Sequence, residues 1–232
     1  MKQVIAMHGW AGDASHWTHW ERAFASNGWL WCSGERGYGA MSPVQPTWQI
    51  NTARRVLICH SLGFHLIDAA TLTAATDLVL LGCFSRFVPE GAAGRALRTG
   101  LQGMARQIGT PAEQTMLRQF LQRVAQPLPL HALPGSLGDQ DLSNQGRDRL
   151  LRDLQLLRTL EELPPGCPQT ANVLVLQGDQ DAIVIEPIRR RLLQDLKHHL
   201  LTTPCTRQLP EHGHALLTPT LLRRVLQWLD GQ

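Results

Sequence analysis

The sequence predicts an α/β protein with a mostly parallel sheet of about six strands and helices on both faces. Short runs of consecutive apolar residues alternate along the chain with longer segments in which apolar residues recur at helical spacing. These short runs lack polar alternation, which indicates strands buried on both faces, as parallel sheets require. A third observation, a long helix-rich interval after the fourth run, predicts an insertion into this core.

The strands are predicted from the apolar runs and from the residues that end them. The first run stops at His8-Gly9 and the third at His60-Ser61, so both lead directly into loops. The sixth run is the weakest. The predicted strands are Val4–Met7, Trp29–Cys32, Arg55–Cys59, Asp77–Leu81, Asn172–Gln177 and Thr206–Leu209.

Helices are predicted between the strands. The first places Trp17, Trp20 and Phe24 on one face, at positions i, i+3 and i+7. The predicted helices of the core are Ser15–Phe24, Gly63–Ala75, Glu186–Leu200 and Thr220–Leu229.

Residues 86–165 break the alternation of strands and helices. Three helix-like segments, 94–108, 111–124 and 146–160, surround a Pro/Gly-rich connector at 127–138. We therefore expect a core of residues 1–85 and 166–232 and a helical cap of residues 86–165. The cap should lie over the carboxyl ends of the strands, where open α/β sheets bind ligands.

The composition narrows the class of protein. The 232 residues carry a net charge of +3 without a basic block, which argues against a nucleic-acid partner. No apolar run approaches the roughly 20 residues that span a bilayer, and the N-terminal run is too short for a signal peptide. The five cysteines are scattered, which favours neither disulfides nor a metal site. These features predict a cytoplasmic protein without a metal ion.

Ser61 is a candidate nucleophile. It follows a predicted strand and precedes a predicted helix, with Gly63 two residues later. This order is typical of a nucleophile elbow, a tight turn that lifts the serine hydroxyl above the sheet and leaves the next amide, that of Leu62, as an oxyanion donor. Cys59 stands where the G-x-S-x-G pattern has its first glycine, and Phe64 replaces a second glycine common in such elbows.

A serine nucleophile needs a base, and the base needs an acid that orients it. Two aspartates, Asp179 and Asp181, follow the fifth strand, and two histidines, His212 and His214, precede the last helix. The chain order of serine, acid and histidine is that of α/β-hydrolase enzymes. The residues alone leave the choice within each pair open.

Five segments, HGWAG, ERGYGAMSP, CHSLG, GDQDAIV and GHALLTP, match in order the landmarks of the α/β-hydrolase superfamily with a helical cap. Within that superfamily the chain most resembles the carboxylesterases of biotin synthesis, which demethylate pimeloyl-acyl carrier protein methyl ester. HGW, CFSRF, RQFL and HALLTP support this closer resemblance.

The resemblance implies a Ser61-His214-Asp181 triad, with Trp10 as the second oxyanion donor and without a cofactor. It leaves Asp179 as a turn-capping residue and His212 as a loop residue. Of the other histidines, we expect His8 to shape its loop, His60 to be structural, and the rest to lie at the surface or in packing positions, among them His16, His19, His65, His198 and His199.

The cap suggests a substrate. Its ten arginines exceed its eight acidic residues, and an acyl carrier protein is acidic. If the second cap segment is helical, Leu117, Phe120, Leu121 and Val124 form an apolar stripe that faces the active site, where Phe120 could line an acyl tunnel. Arg118 and Arg123 would contact the carrier protein; a solvated helix face is the alternative.

Two other functions fit the same motifs. One is a triad-bearing lyase or C–C hydrolase of the menaquinone or aromatic-degradation type, whose anionic substrates need an arginine in the pocket. The other is a ligand receptor that keeps the fold and hydrolyses little.

Overall fold

The computed structural model describes residues 1–133, 137 and 142–231. Its centre is a six-stranded sheet in the order β2-β1-β3-β4-β5-β6, and every neighbouring pair of strands is parallel. This confirms the predicted fold class. The strands are β1 (Lys2–Met7), β2 (Leu30–Gly34), β3 (Arg54–His60), β4 (Asp77–Leu81), β5 (Asn172–Gly178) and β6 (Cys205–Leu209).

Alternate residues of the central strands enter two separate apolar clusters, one on each face of the sheet. In β3, for example, Val56 and Ile58 belong to one cluster and Leu57 and Cys59 to the other. This division explains the uniformly apolar strand sequences, because both faces are covered. One face is packed by α1 (Thr18–Ser26), which follows a 3-10 turn at Ala14–Trp17, and by α8 (Pro219–Asp230).

The opposite face is packed by α2 (Gly63–Leu66), α3 (Ala69–Thr73) and α7 (Glu186–His199). The prediction of one continuous helix over Gly63–Ala75 was wrong. The chain becomes extended at Ile67 and Asp68, and the Asp68 carboxylate accepts hydrogen bonds from both the amide and the hydroxyl of Thr71. Aspartate is a strong helix-capping residue, so a new helix begins there.

Three further helices lie between β4 and β5: α4 (Gly91–Gln107), α5 (Glu113–Ala125) and α6 (Asn144–Thr159), with a 3-10 turn at Leu130–Ala132. They share an apolar cluster with residues that follow the carboxyl ends of strands, including Trp10 after β1 and Ile183 after β5. The helices therefore pack over the carboxyl edge of the sheet. The connector predicted at 127–138 falls partly outside the described residues. No helix in the described ranges has both the length and the apolarity to cross a bilayer.

Polar contacts attach α6 to the loops after β1 and β2. The Trp10 indole donates to the Leu150 carbonyl oxygen (3.0 Å), and the Arg36 guanidinium binds both oxygens of the buried Asp153 carboxylate (2.7 and 2.6 Å). The Tyr38 hydroxyl donates to the same carboxylate at 2.5 Å. Burial, together with the Asp153 charge, raises the pKa of Tyr38, so its phenol stays protonated and remains a donor.

The packing of Gly63 generates a prediction about stability. A Cβ atom at Gly63 would lie 2.3 Å from the Met7 carbonyl oxygen, whereas one at Gly103 in α4 would meet no atom within 4 Å. We expect Gly63→Ala to lower the free energy of unfolding by about 3 kcal/mol or more, at the upper end for overpacked sites. Gly103→Ala should raise it by up to about 1 kcal/mol, because alanine favours the helix. Urea denaturation of the two variants tests this contrast, and equal stabilities would contradict it.

Candidate active site

Ser61 lies in a strained turn between β3 and α2. Its φ is 55°, in the left-handed region that non-glycine residues rarely adopt, and its amide donates to the Leu81 carbonyl oxygen of β4 (2.9 Å). Strain of this kind persists only where the surroundings impose it. Here the turn is enclosed by glycines: a Cβ at Gly9 would lie 2.8 Å from the Ser61 Cβ, and Gly63 packs against β1. The turn therefore has the geometry of a nucleophile elbow.

The two departures from the usual elbow sequence are accommodated in the core. Cys59 and Phe64 are both fully buried in the apolar cluster on the α2–α7 face of the sheet. Their side chains therefore point into this apolar cluster, away from the Ser61 hydroxyl. Position 63, which stays glycine in this chain, is where the backbones approach too closely for a side chain.

His214 and Asp181 form a buried, directed pair. His214 Nδ1 lies 2.8 Å from Asp181 Oδ2, while Asp181 Oδ1 accepts hydrogen bonds from the amides of Ile183 and Val184, both at 2.8 Å. Burial alone would raise the pKa of Asp181, but His214 and the two amides outweigh it, so the pKa lies below its ordinary value. An ionised carboxylate can only accept, so Nδ1 carries a proton and Nε2 is free to act as a base.

The competing acid and histidine lie outside this pair. Asp179 is exposed, and its side chain makes no hydrogen bond within the described ranges, contrary to the expected turn cap. The His212 ring contacts the Pro210 carbonyl oxygen of its own loop (2.7 Å). Of the four candidates, the structure pairs only Asp181 with His214.

Ser61 and His214 line the same cavity, which has a volume of about 80 Å³. Ser61 is 8% exposed and His214 is buried. No direct hydrogen bond joins the two side chains in the part of the chain that the structure describes, and such bonds are often long until substrate binds. The other lining residues are mostly apolar and come from the loop after β1, from α5 and the segment that follows it, and from the second half of the loop between β6 and α8.

Two backbone amides, those of Trp10 and Leu62, are candidate oxyanion donors. Neither has an acceptor among the described residues. The Arg36 amide donates to His8 Nε2 (3.1 Å), so the His8 ring proton is on Nδ1, which donates to the Gly9 carbonyl oxygen (2.9 Å). The carbonyl and the amide of one peptide point in opposite directions, so His8 turns the Trp10 N–H away from itself. His8 shapes its loop, as its sequence context predicts.

Glu35, which the sequence did not single out, supports the same loop. Its carboxylate accepts hydrogen bonds from the amides of Ala14 (2.7 Å) and Gly37 (2.6 Å), and it is buried. It thereby ties the segment that follows the Trp10 loop to the segment that follows β2. Only the buried surroundings distinguish this glutamate from a surface one, and those are a property of the fold.

The cap residues occupy three different environments. Phe120 lines the cavity and packs edge-on against the Trp10 ring, with ring centroids 4.8 Å apart. Leu117, Leu121 and Val124 are buried on the same face of α5. Arg118 and Arg123 are exposed, and the Arg123 guanidinium donates to the Ala182 carbonyl oxygen (3.3 Å).

Two further histidines, His60 and His16, line the cavity. The sequence predicted a structural role for His60 and a surface or packing position for His16. His60 Nε2 contacts the His214 carbonyl oxygen (2.9 Å), and burial with the neighbouring His214 ring lowers the pKa of His60 to about 3. His16 is half-buried in the lining of the same cavity, and burial lowers its pKa as well. Both rings therefore stay neutral near pH 7 and add no positive charge to the cavity beside that of a protonated His214. Among the described residues, no group of three or more metal-ligating side chains could hold a metal ion.

No family model matches the chain, and no curated protein matches it significantly. Solved structures do. An esterase from Exiguobacterium antarcticum is similar with a TM-score of 0.72 and 15% identity, over 99% of this chain and 92% of the other. An enol-lactonase from Burkholderia xenovorans gives 0.68 and 14% over 99% and 91%. A deep-sea metagenome α/β-hydrolase gives 0.60 and 12% over 100% and 90%. At such identities the likeness establishes the fold, and the chain has the α/β-hydrolase fold.

The buried histidines generate a prediction about pH. The pKa of His65, whose Nε2 contacts the Phe84 carbonyl oxygen, is lowered by burial to about 4. Below about pH 6.5 the unfolded chain binds a proton at this histidine, and the folded chain does so only near pH 4. The free energy of unfolding therefore decreases as the pH is lowered through this range. Between about pH 7.5 and about pH 5.5 each such histidine should cost about 1.4 kcal/mol.

Urea denaturation of His65→Gln at the two pH values measures this effect, since glutamine can still donate to the Phe84 carbonyl oxygen. Between the two pH values, the free energy of unfolding of His65→Gln should fall by about 1.4 kcal/mol less than that of the wild type. His198→Gln, at an exposed position in α7, is the matched control. The same fall in both variants would contradict the prediction.

Proposed function

We propose that the protein is a serine carboxylesterase. The observation that carries this proposal is the buried Asp181–His214 pair, whose histidine lines the same small cavity as the strained Ser61. In the reaction, His214 takes the proton of the Ser61 hydroxyl, and the serine oxygen attacks the ester carbonyl carbon. The backbone amides of Trp10 and Leu62 donate hydrogen bonds to the oxyanion that forms.

The two halves of the reaction use the same groups. Collapse of the first tetrahedral intermediate expels the alcohol, which receives the proton from His214 Nε2 and leaves an acyl group on Ser61. A water molecule then gives a proton to His214 and attacks the acyl carbon. Collapse of this second tetrahedral intermediate breaks the bond between the acyl carbon and the Ser61 oxygen, which takes the proton back from His214 as the acid leaves. Asp181 keeps the imidazole in the required tautomer and stabilises its positive form in both halves. His8 acts indirectly, by orienting the Gly9–Trp10 peptide.

The lining of the cavity favours an uncharged acyl group. No arginine or lysine lines it among the described residues, and residues 134–136 and 138–141 contain neither type. A buried anionic substrate group would need such a partner, because an unpaired buried charge is costly. This argues against the lyase or C–C hydrolase alternative, whose substrates are anionic. No feature of the cavity favours a receptor over an enzyme.

Within the carboxylesterases we propose the methyl ester of pimeloyl-acyl carrier protein as the substrate. The motif resemblance supports it, as do the exposed positions of Arg118 and Arg123 on α5, whose apolar face borders the cavity. The similar structure from Exiguobacterium antarcticum is that of an esterase, which agrees with the broader class. Location in the cytoplasm and the division into core and cap belong to the same proposal.

The triad assignment predicts a ranking of variants. Ser61→Ala should reduce hydrolysis of short p-nitrophenyl esters by at least about 10³-fold, because the members of a triad act as a unit. Asp181→Asn and His214→Ala should each lower kcat by orders of magnitude. Asp179→Asn and His212→Ala are the matched controls and should cost about tenfold or less. Wild-type activity in Ser61→Ala would overturn the proposal, and the reverse ranking within either pair would move the acid or the base.

The carrier-protein assignment predicts a substrate-dependent effect. Reversing Arg118 and Arg123 to glutamate should raise KM for a carrier-linked ester and flatten its dependence on salt, because rim charges act on association and are screened. For a small free ester, kcat/KM should stay within about twofold, since that substrate does not reach the rim. Steady-state kinetics on both substrates tests this. Equal losses would indicate a damaged cap, and no loss on either would show that the arginines are a solvated face.

A further inference from the structure

A second apolar recess lies beside the catalytic cavity. It is formed by α4, α5 and the loop after β5, has a volume of about 370 Å³, and is called here the α4–α5 groove. Among the residues that line it are Ala96, Gly100 and Met104 of α4, Phe120 of α5, and Ile183 and Ile185 of the loop after β5.

Phe120 belongs to both recesses. It lines the catalytic cavity, where its ring packs against Trp10, and it also lines the groove. The loop after β5 lines the groove from Ala182, directly after Asp181, and includes Ile183, whose amide holds the Asp181 carboxylate. The groove therefore adjoins the proposed catalytic groups, and Phe120 is the residue that lines both recesses.

The walls of the groove are built for an apolar occupant. Ala96, Gly100 and Met104 lie at i, i+4 and i+8 on one face of α4, and a Cβ at Gly100 would meet no atom within 4 Å. Arg123 is the one charged residue in the described lining, and its guanidinium donates to the Ala182 carbonyl oxygen.

We propose that the α4–α5 groove binds the distal methylenes of an unbranched acyl chain, and that Phe120 determines which chain lengths reach it from Ser61. The inference rests on the proposed esterase function. The catalytic cavity, at about 80 Å³, is well below the roughly 300–1,000 Å³ of typical ligand pockets, so a long acyl chain must extend beyond it. A short acyl group fits the cavity, and a longer chain continues past Phe120.

The test fills the groove without touching the catalytic groups. Gly100→Leu places a side chain in its open space, and Gly103→Leu adds the same side chain to the same helix at a position that is outside the groove lining and also meets no atom within 4 Å. Both changes favour the helix, so both variants should fold. The measurement is kcat/KM for p-nitrophenyl acetate and for p-nitrophenyl octanoate.

Each methylene removed from water is worth roughly a fourfold change in binding. We therefore expect Gly100→Leu to lower the octanoate-to-acetate ratio of kcat/KM by at least about tenfold, which corresponds to fewer than two methylenes. Gly103→Leu should leave the ratio within about twofold of the wild type. Phe120→Ala should raise the ratio, because it opens the passage. Equal ratios in the two leucine variants would overturn the proposal, even where both enzymes remain active.

A binding measurement separates the groove from the catalytic chemistry. In the Ser61→Ala background, titration with methyl octanoate, an uncharged ester, is followed by calorimetry, with and without Gly100→Leu. Loss of binding only with Gly100→Leu supports the groove even if the protein hydrolyses no ester, a result that would overturn the proposed function alone. Unchanged binding in both would overturn the groove as a chain site.

Discussion

The contact between the start of α2 and the end of β1 is the constraint on which the site depends. Gly63 passes so close to the Met7 carbonyl oxygen that any side chain there would collide with it. Because the helix is held against the sheet, the turn before it has no room to relax, and Ser61 is kept at a positive φ. Backbone packing consequently holds the Ser61 hydroxyl above the sheet, and hydrogen bonds of the Ser61 side chain contribute little to its position.

A second constraint holds the helices over that hydroxyl. The Asp153 carboxylate is buried and is bound by Arg36 and Tyr38 from the loop after β2. Removing one partner from a buried ion pair typically costs about 3–5 kcal/mol, because the remaining charge cannot be solvated. Helix α5 is in turn bound to α6, because the Glu113 carboxylate at its start accepts hydrogen bonds from the Arg147 guanidinium, and to the loop after β5 through the Arg123 contact.

The sequence predicted the sheet well, because its central strands are uninterrupted apolar runs, which have few alternative structures; the edge strand β6, with the polar centre Thr206-Arg207-Gln208, was the weakest prediction. The sequence also placed Ser61, Asp181 and His214 each just after a strand, since parallel strands bring such positions to one edge. It failed where a single side chain decides the structure. At Asp68 a capping carboxylate divides a helix that periodicity would continue. Glu35 and His16 carry no local signal, since their positions near the site follow from tertiary packing alone.

The loops at the carboxyl edge of the sheet have two different roles: some carry residues of the candidate site, and one binds the helices above it. Those after β1, β3, β5 and β6 carry Trp10, Ser61, Asp181 and His214, whereas the loop after β2 carries the partners of Asp153. The helices above the site carry none of the three proposed catalytic side chains. Position 153 nevertheless ties α6 to the loop after β2: without its carboxylate, Arg36 and Tyr38 would lose their acceptor, so α6 and that loop can be exchanged only together.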